Sequence, residues 1–191
     1  MSMQKDTKGE ILDLAENLLR DLGFNGFSYA NIASALRIKN AAIHYYFPSK
    51  ADLGVAIIRR ARERFAQWTQ NQQMAAKPPT ERLEAFFSRY LSFLEAEQQV
   101  CLGGALETDF KTLPSTMQVE TQKFASDILA WMEGVLGEGK EKRIFAFPAK
   151  AKDQAILILS SLQGALQMTR AVGPSCLHLA IAQIRRLTSK N

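Results

Sequence analysis

Lys39, Asn40, His44, Tyr45 and Tyr46, followed by Pro48-Ser49-Lys50, crowd the chemistry of this chain into one short stretch. An ammonium can donate to a guanine edge or a phosphate, and a carboxamide can pair with adenine. Phenols and an imidazole reach either bases or phosphates. Catalytic patterns are missing by comparison. His44 and His178 fall in separate helical segments, and no Ser/His/Asp, HExxH or phosphate-loop pattern occurs. Glu107 and Asp109 are two residues apart and point to different faces of a helix, a poor catalytic pair. Two cysteines, Cys101 and Cys176, without a CxxC or a Cys/His cluster, argue against a disulfide framework or structural zinc. The expectation is a chain that is not an enzyme and that needs no metal and no cofactor.

The elements around this stretch must hold it out for contact. Ile11, Leu12, Ala15, Leu18, Leu19 and Leu22 form one stripe of an amphipathic helix that Gly23 ends. Ser28 is placed to cap a second helix, Tyr29–Leu36, with Ile32, Ala33 and Leu36 facing the core. A break near Arg37–Lys39 precedes a third helix, about Asn40 to Phe47, which Pro48 stops. A fourth is expected over about 50–74, with Leu53, Ile57, Ala61 and Trp68 on one side. Lys77-Pro78-Pro79-Thr80 is the clearest boundary, followed by a helix striped with Leu83, Phe86, Phe87, Tyr90, Leu91 and Leu94. A short apolar helix at Cys101–Phe110 comes next, then a longer one opened by Pro114, a glycine-rich exit into a charged loop at Glu138–Arg143, and two last helices at about 150–171 and 176–188. Phe145-Ala146-Phe147 alternates but is too short to make a sheet. The fold class expected is all-α, about nine helices.

Bulk properties agree. With 191 residues, 47% hydrophobic and 23% charged, the chain can bury a core and is not a disordered sequence. The net charge of +5 is unevenly spread. Seven Lys or Arg face two acids between Arg37 and Arg64, whereas three face seven between Glu81 and Glu120, so the two regions suit different partners. The N-terminus is polar, and the longest apolar stretch, near Ala155–Leu162, is too short to span a bilayer. A cytoplasmic protein with no membrane contact is expected.

Two short helices with a three- or four-residue turn place the second helix in the major groove. Here the residues carry a resemblance. Residues 8–53 resemble the DNA-binding domain of the TetR family of bacterial repressors: Ser28 as the cap, Ile32-Ala33, the turn at Arg37-Ile38, the aromatics His44-Tyr45-Tyr46-Phe47, and Ser49-Lys50. Arg37 stands where that family often has Gly, His44 where Tyr is common, and Ala41 and Ala42 where Gly/Pro and Thr are common. The resemblance and the chemistry together imply base contact from Lys39, Asn40 and Tyr45. Ala42 suits a thymine methyl, and His44 a base or a phosphate. Ser28, Tyr46 and Lys50 are expected to anchor phosphates, with Tyr29 and Ala41 completing the interface. Tyr46 and Phe47 are alternatively core aromatics, and Arg59, Arg60, Arg62 and Arg64 a solvated face of the fourth helix.

The remainder resembles the family's effector-binding and dimerisation half in architecture only. The division expected is 1–50 for DNA and 51–191 for effector and dimer, with the fourth helix as connector. A homodimer through the eighth and ninth helices would present two recognition helices to two half-sites of a palindromic operator. Ile156, Leu159, Leu162 and Leu166 suit either a core or that seam, and Gly164 and Ala165 allow close approach. Phe65, Trp68, Phe86, Tyr90, Cys101, Phe110 and Trp131 are the candidate lining of a site for a small apolar or reactive effector, with Met117, Phe124 and Met168 as further candidates. Cys101-Leu102-Gly103-Gly104 resembles a segment in an electrophile- or oxidant-sensing subgroup, and a buried structural cysteine is the other reading. The function expected is a ligand-responsive repressor released from double-stranded operator DNA by a small-molecule effector. The alternatives are a helical protein-binding scaffold and a small helical enzyme.

Overall fold

The computed structural model describes residues 6–95 and 100–189. Among these described residues ten α-helices follow in order: α1 (Thr7–Leu22), α2 (Tyr29–Leu36), α3 (Asn40–Tyr46), α4 (Lys50–Gln70), α5 (Gln72–Ala75), α6 (Pro79–Glu95), α7 (Leu102–Thr108), α8 (Ser115–Glu141), α9 (Ala151–Thr169) and α10 (Ser175–Thr188). Two 3-10 turns lie at Phe24–Gly26 and Phe110–Thr112. Among the described residues there is no strand, only an isolated antiparallel bridge between Phe145 and Ser189. The fold is all-α, as the periodicity implies.

Local chemistry accounts for most helix ends. Asp6 accepts Gly9 N–H at 2.9 Å and caps α1. Gly23, at φ 75°, closes it by donating to Leu19 O. Asn31 Oδ1 accepts from both N and Oγ of Ser28, at 2.8 and 2.7 Å, which fixes the start of α2. The helix expected over about 50–74 is two helices. Asn71 turns its side chain onto Gln73 N–H at 2.9 Å and starts α5 as a separate turn. The glycines expected to end the long helix lie inside it, because α8 runs to Glu141. Its stop comes later, where Arg143 takes φ 54°. Gly139 is needed inside the helix because a Cβ there would overlap the Phe145 ring.

The chain divides into two compact units. The first holds the residues up to Glu63 together with Leu102–Phe124, and the second holds Arg64–Cys101 and the residues from Ala125 onward. The first 14 residues of α4, all of α7 and the start of α8 thus group with the three N-terminal helices. The core of the first unit is Ile11, Leu19, Ile32, Ile43, Leu53, Ile57, Leu106 and Met117, all at 0% exposure. At about 1.5–3 kcal/mol for each fully buried aliphatic side chain, this cluster supplies the main force that sets α3 on its support. Gly54 lets α8 approach α4 closely within this unit, since a Cβ there would overlap the Met117 thioether. In the second unit Phe87, Met132, Leu136, Ile158, Leu162 and Leu177 are fully enclosed, and α9 packs on α10.

Candidate nucleic-acid interface

α3 buries Ile43, and Phe47 directly after it, and leaves Asn40, Ala41, His44, Tyr45 and Tyr46 on its open side. Phe47 is thus a core aromatic, while Tyr46, at 38% exposed, and Tyr45, at 82%, are not. Their rings meet edge to face with centroids 5.0 Å apart. Lys39 is the exposed N-cap residue, with φ −81° and ψ 146°, directly before Asn40. Ala42 is half-buried. Arg37, in the position where glycine was the expected norm, adopts φ 55° and ψ 43°, the left-handed conformation, and its N–H reaches Ser34 O at 3.3 Å. The turn keeps its geometry and carries the strain of a side chain.

Tyr29 and Lys50 are placed differently from the expectation. Tyr29 is half-buried, and its hydroxyl donates to Phe47 O at 2.9 Å. Its ring stands edge-on to His44 at 4.8 Å, and His44 Nδ1 lies 3.2 Å from Pro48 O. Burial, with Asp52 nearby, pushes the Tyr29 phenol up to about 12. Tyr29 therefore pins α2 to the end of α3. The Lys50 ammonium donates to the carbonyls of Phe24 and Phe27 and lies 4.6 and 4.3 Å from their ring centroids. Burial lowers its pKa from the usual lysine value. An ammonium held by two carbonyls and two rings ties the start of α4 to the Phe24–Phe27 turn.

The arginines of α4 are also not a merely solvated face. Arg60 pairs with Asp13 at 2.7 Å and Glu16 at 2.9 Å, and Arg59 and Arg62 reach Glu120 at 3.2 and 3.1 Å. Lys123 adds a third cation to Glu120 at 3.1 Å. Burial by itself would raise the Glu120 carboxyl, but hydrogen bonds from Lys123 and Arg59, with their charges, prevail and hold it below the usual carboxylate range. Periodicity could not reveal the arginine ties, which join residues 44 to 61 positions apart.

The second unit gathers most of the expected aromatic set. Trp68 lies 5.1 Å from Trp131 and 6.4 Å from Phe86, and Phe65 is 5.9 Å from Trp68 and 6.0 Å from Trp131. Phe86 is 5.4 Å from both Tyr90 and Trp131, and the Tyr90 hydroxyl points at Cys101 Sγ, 4.0 Å away. Phe65, Phe86 and Tyr90 are buried; Trp68, Trp131 and Cys101 are half-buried. Four expectations do not join this group: Phe110 lies in the 3-10 turn of the first unit, Phe124 is buried in that same unit, Met117 packs beside Gly54, and Met168 is 53% exposed. Two members were missed. Phe93 stands 6.0 Å from Tyr90, three residues on along α6, and the Arg89 guanidinium lies 4.8 Å from the Trp68 centroid. The i, i+3 spacing of Tyr90 and Phe93 was the available signal. Among the described residues no group of three or more His, Cys, Asp or Glu is arranged to hold a metal ion, and no helix is long and apolar enough to cross a membrane.

Known proteins share this fold. Residues 11–67 match the profile of the bacterial regulatory proteins, tetR family. A TetR transcriptional regulator from Legionella pneumophila is 32% identical, over 99% of this chain and 100% of that one, with a TM-score of 0.86. A TetR-family regulator from Agrobacterium tumefaciens is 25% identical over 95% of this chain and 97% of its own, with a TM-score of 0.88. The transcriptional repressor NemR of Escherichia coli (strain K12) is 23% identical over 190 residues, 96% of this chain and 94% of that protein.

Proposed function

The chain belongs to the TetR family of bacterial transcriptional regulators, and from that premise we propose that it is a cytoplasmic, dimeric, ligand-responsive repressor. The observation that carries the reading is α3. A seven-residue helix resting on Ile43 and Phe47 presents Asn40, Ala41, His44, Tyr45 and Tyr46 together, with Lys39 at its start. That helix fits the major groove, where Lys39 and Asn40 meet base edges and Tyr45 meets a base or phosphate. Ser28 and Tyr46 anchor phosphates, and Ala42 lies close enough to the open side to touch a thymine methyl. Tyr29 and Lys50 act one step back, by holding α3 in place.

Dimerisation through α9 and α10 is supported by an apolar face that no other described residue of the chain covers. Ile156, Leu157, Met168, Leu179 and Leu187 are each 47–64% exposed, and Gly164 has no atom within 4 Å of where a Cβ would sit. A second copy is the occupant, because paired recognition helices match paired half-sites about one DNA turn apart. The effector is a small apolar or aromatic molecule, or an electrophile reacting at Cys101, received at the cluster of Trp68, Trp131, Phe86 and Tyr90. It acts by binding the DNA-incompetent state more tightly, shifting α4, whose residues belong to both units.

The deciding experiment is a titration of the full chain with duplex DNA at several salt concentrations. Binding weakens with salt, and Lys39→Ala relaxes base preference at one position without a uniform loss across sequences. Asn40→Ala relaxes base preference by roughly 1–3 kcal/mol at one position. Absence of salt-dependent binding would sink the reading and favour a protein-binding helical scaffold.

A further inference from the structure

The turn Phe24–Phe27, which joins α1 to α2, is gripped from two sides by opposite charges. Asp109, the residue after α7, accepts Phe24 N–H through Oδ2 at 2.7 Å. Lys50, the first residue of α4, donates to the carbonyls of Phe24 and Phe27. Beside this pair, Asn25 Nδ2 donates to Thr112 Oγ1 at 3.0 Å. Gly23 makes the approach possible: at φ +75° it has no side chain, and a Cβ there would sit 2.6 Å from Asp109 Oδ2. All of these residues belong to the first unit.

The placement has consequences at both ends. The turn leads directly into Ser28, the cap of α2, and α2 holds α3 through the Tyr29 bond to Phe47 O. On the other side, Leu102, Gly103, Gly104, Ala105 and Leu106 of α7 are all buried. A close-packed helix moves as a body, so displacement of α7 carries Asp109 with it. Cys101, 4.0 Å from the Tyr90 hydroxyl, is the residue just before α7. A charge-assisted bond to a backbone N–H is strong and directional enough to transmit such a movement.

We propose that Asp109 and Lys50 are positioning residues for DNA binding: they form a two-charge clamp on the Phe24–Phe27 turn, through which α7 sets the pose of α2 and α3. The proposal rests on the DNA-binding reading above. By linkage, if α7 controls DNA binding through Asp109, bound DNA restrains the α7–Asp109 segment in return.

Amide hydrogen exchange on the full-length protein, with and without a random-sequence duplex at low salt, tests this. In the wild type, duplex binding slows exchange in Asn40–Tyr46 and also, roughly fivefold, in Leu102–Thr112, the low end of ordinary coupling. Asp109→Ala keeps the first effect and loses the second. Asp109→Asn retains an acceptor for Phe24 N–H and keeps both. Thr112→Val, at an exposed position, cuts the milder tie and lessens the second effect without threatening the fold. Lys50→Met leaves the salt slope unchanged, whereas a phosphate anchor would lower it by about one. The clamp is refuted if Leu102–Thr112 does not respond to bound duplex, if Asp109→Ala keeps the response, or if Lys50→Met lowers the slope. Failure of the wild type to bind duplex at all would remove the DNA-binding reading and the clamp together, so the two failures are distinguishable.

Discussion

Glu120→Gln is the substitution whose outcome follows most directly from the geometry. The wild-type carboxylate is 4% exposed and is met by Arg59, Arg62 and Lys123 at 3.1–3.2 Å. Breaking a fully buried ion pair costs about 3–5 kcal/mol. Here the partners are less enclosed, with side-chain exposures of 61% for Arg59, 28% for Arg62 and 50% for Lys123, so they rehydrate when the anion is removed. The neutral amide also keeps the volume of the carboxylate. Those two discounts reduce the expected loss to about 1–2 kcal/mol. For a chain of this size the melting temperature at pH 7 falls by roughly 3–6 °C. The pH dependence supplies a second check. The Glu120 pKa is lower folded than unfolded, so its contribution is complete above the ordinary value of 4.5 and is lost as pH falls through the lower folded value. The assay is thermal unfolding of both proteins by circular dichroism from neutral pH down into the acid range. The two melting temperatures should differ at pH 7 and converge in acid. Equal melting temperatures at pH 7, or a gap that stays constant in acid, would refute the Glu120 ion cluster as an energetic element.

Other expectations follow from single contacts. Tyr29→Phe removes the hydroxyl bond to Phe47 O and should cost about 1 kcal/mol in urea unfolding. Because the Tyr29 pKa is raised to about 12, its share of stability is complete below the unfolded value near 10 and disappears as pH rises through about 12; the mutant should lack that alkaline loss. Arg37→Gly relieves a left-handed backbone at φ 55° and should raise stability by about 0.4–1 kcal/mol; a lowered melting temperature would count against the strain argument. Leu157→Glu combined with Leu179→Glu places charges on the open face of α9 and α10, and analytical ultracentrifugation should then show monomers where the wild type shows dimers. An unchanged sedimentation coefficient would move the dimer seam elsewhere.

The legible part of the site was the part encoded locally. The apolar residues Ile11, Leu12, Ala15 and Leu19 recur at helical spacing and are buried, and Ser28, Gly23 and Pro48 mark element ends by backbone chemistry alone. The open side of α3 could likewise be read, because Ile43 and Phe47 lie four apart and leave Asn40, His44 and Tyr45 elsewhere on the helix. Asn71 was harder: its capping bond competes with a helix that propensity would have continued to residue 74. The glycines of α8 misled for the opposite reason, since Gly139 serves a close approach by Phe145 and does not stop the helix.

By itself, then, the sequence determined that the chain is helical, where most helices begin and end, and which short helix offers polar side chains. These follow from interactions within a turn or two of backbone, whose energies are set by neighbours in the chain. Tertiary structure alone decided what the charged and aromatic side chains do. Lys50 turns to carbonyls 23 and 26 residues away, Asp109 reaches Phe24 across 85 residues, and Glu120 collects Arg59 and Arg62 from about 60 residues away. It likewise gathered Trp68, Phe86, Tyr90 and Trp131 while placing Phe110 in the other unit. A long flexible side chain carries no periodic record of its partner; its role is set by which element folding brings within a few ångströms.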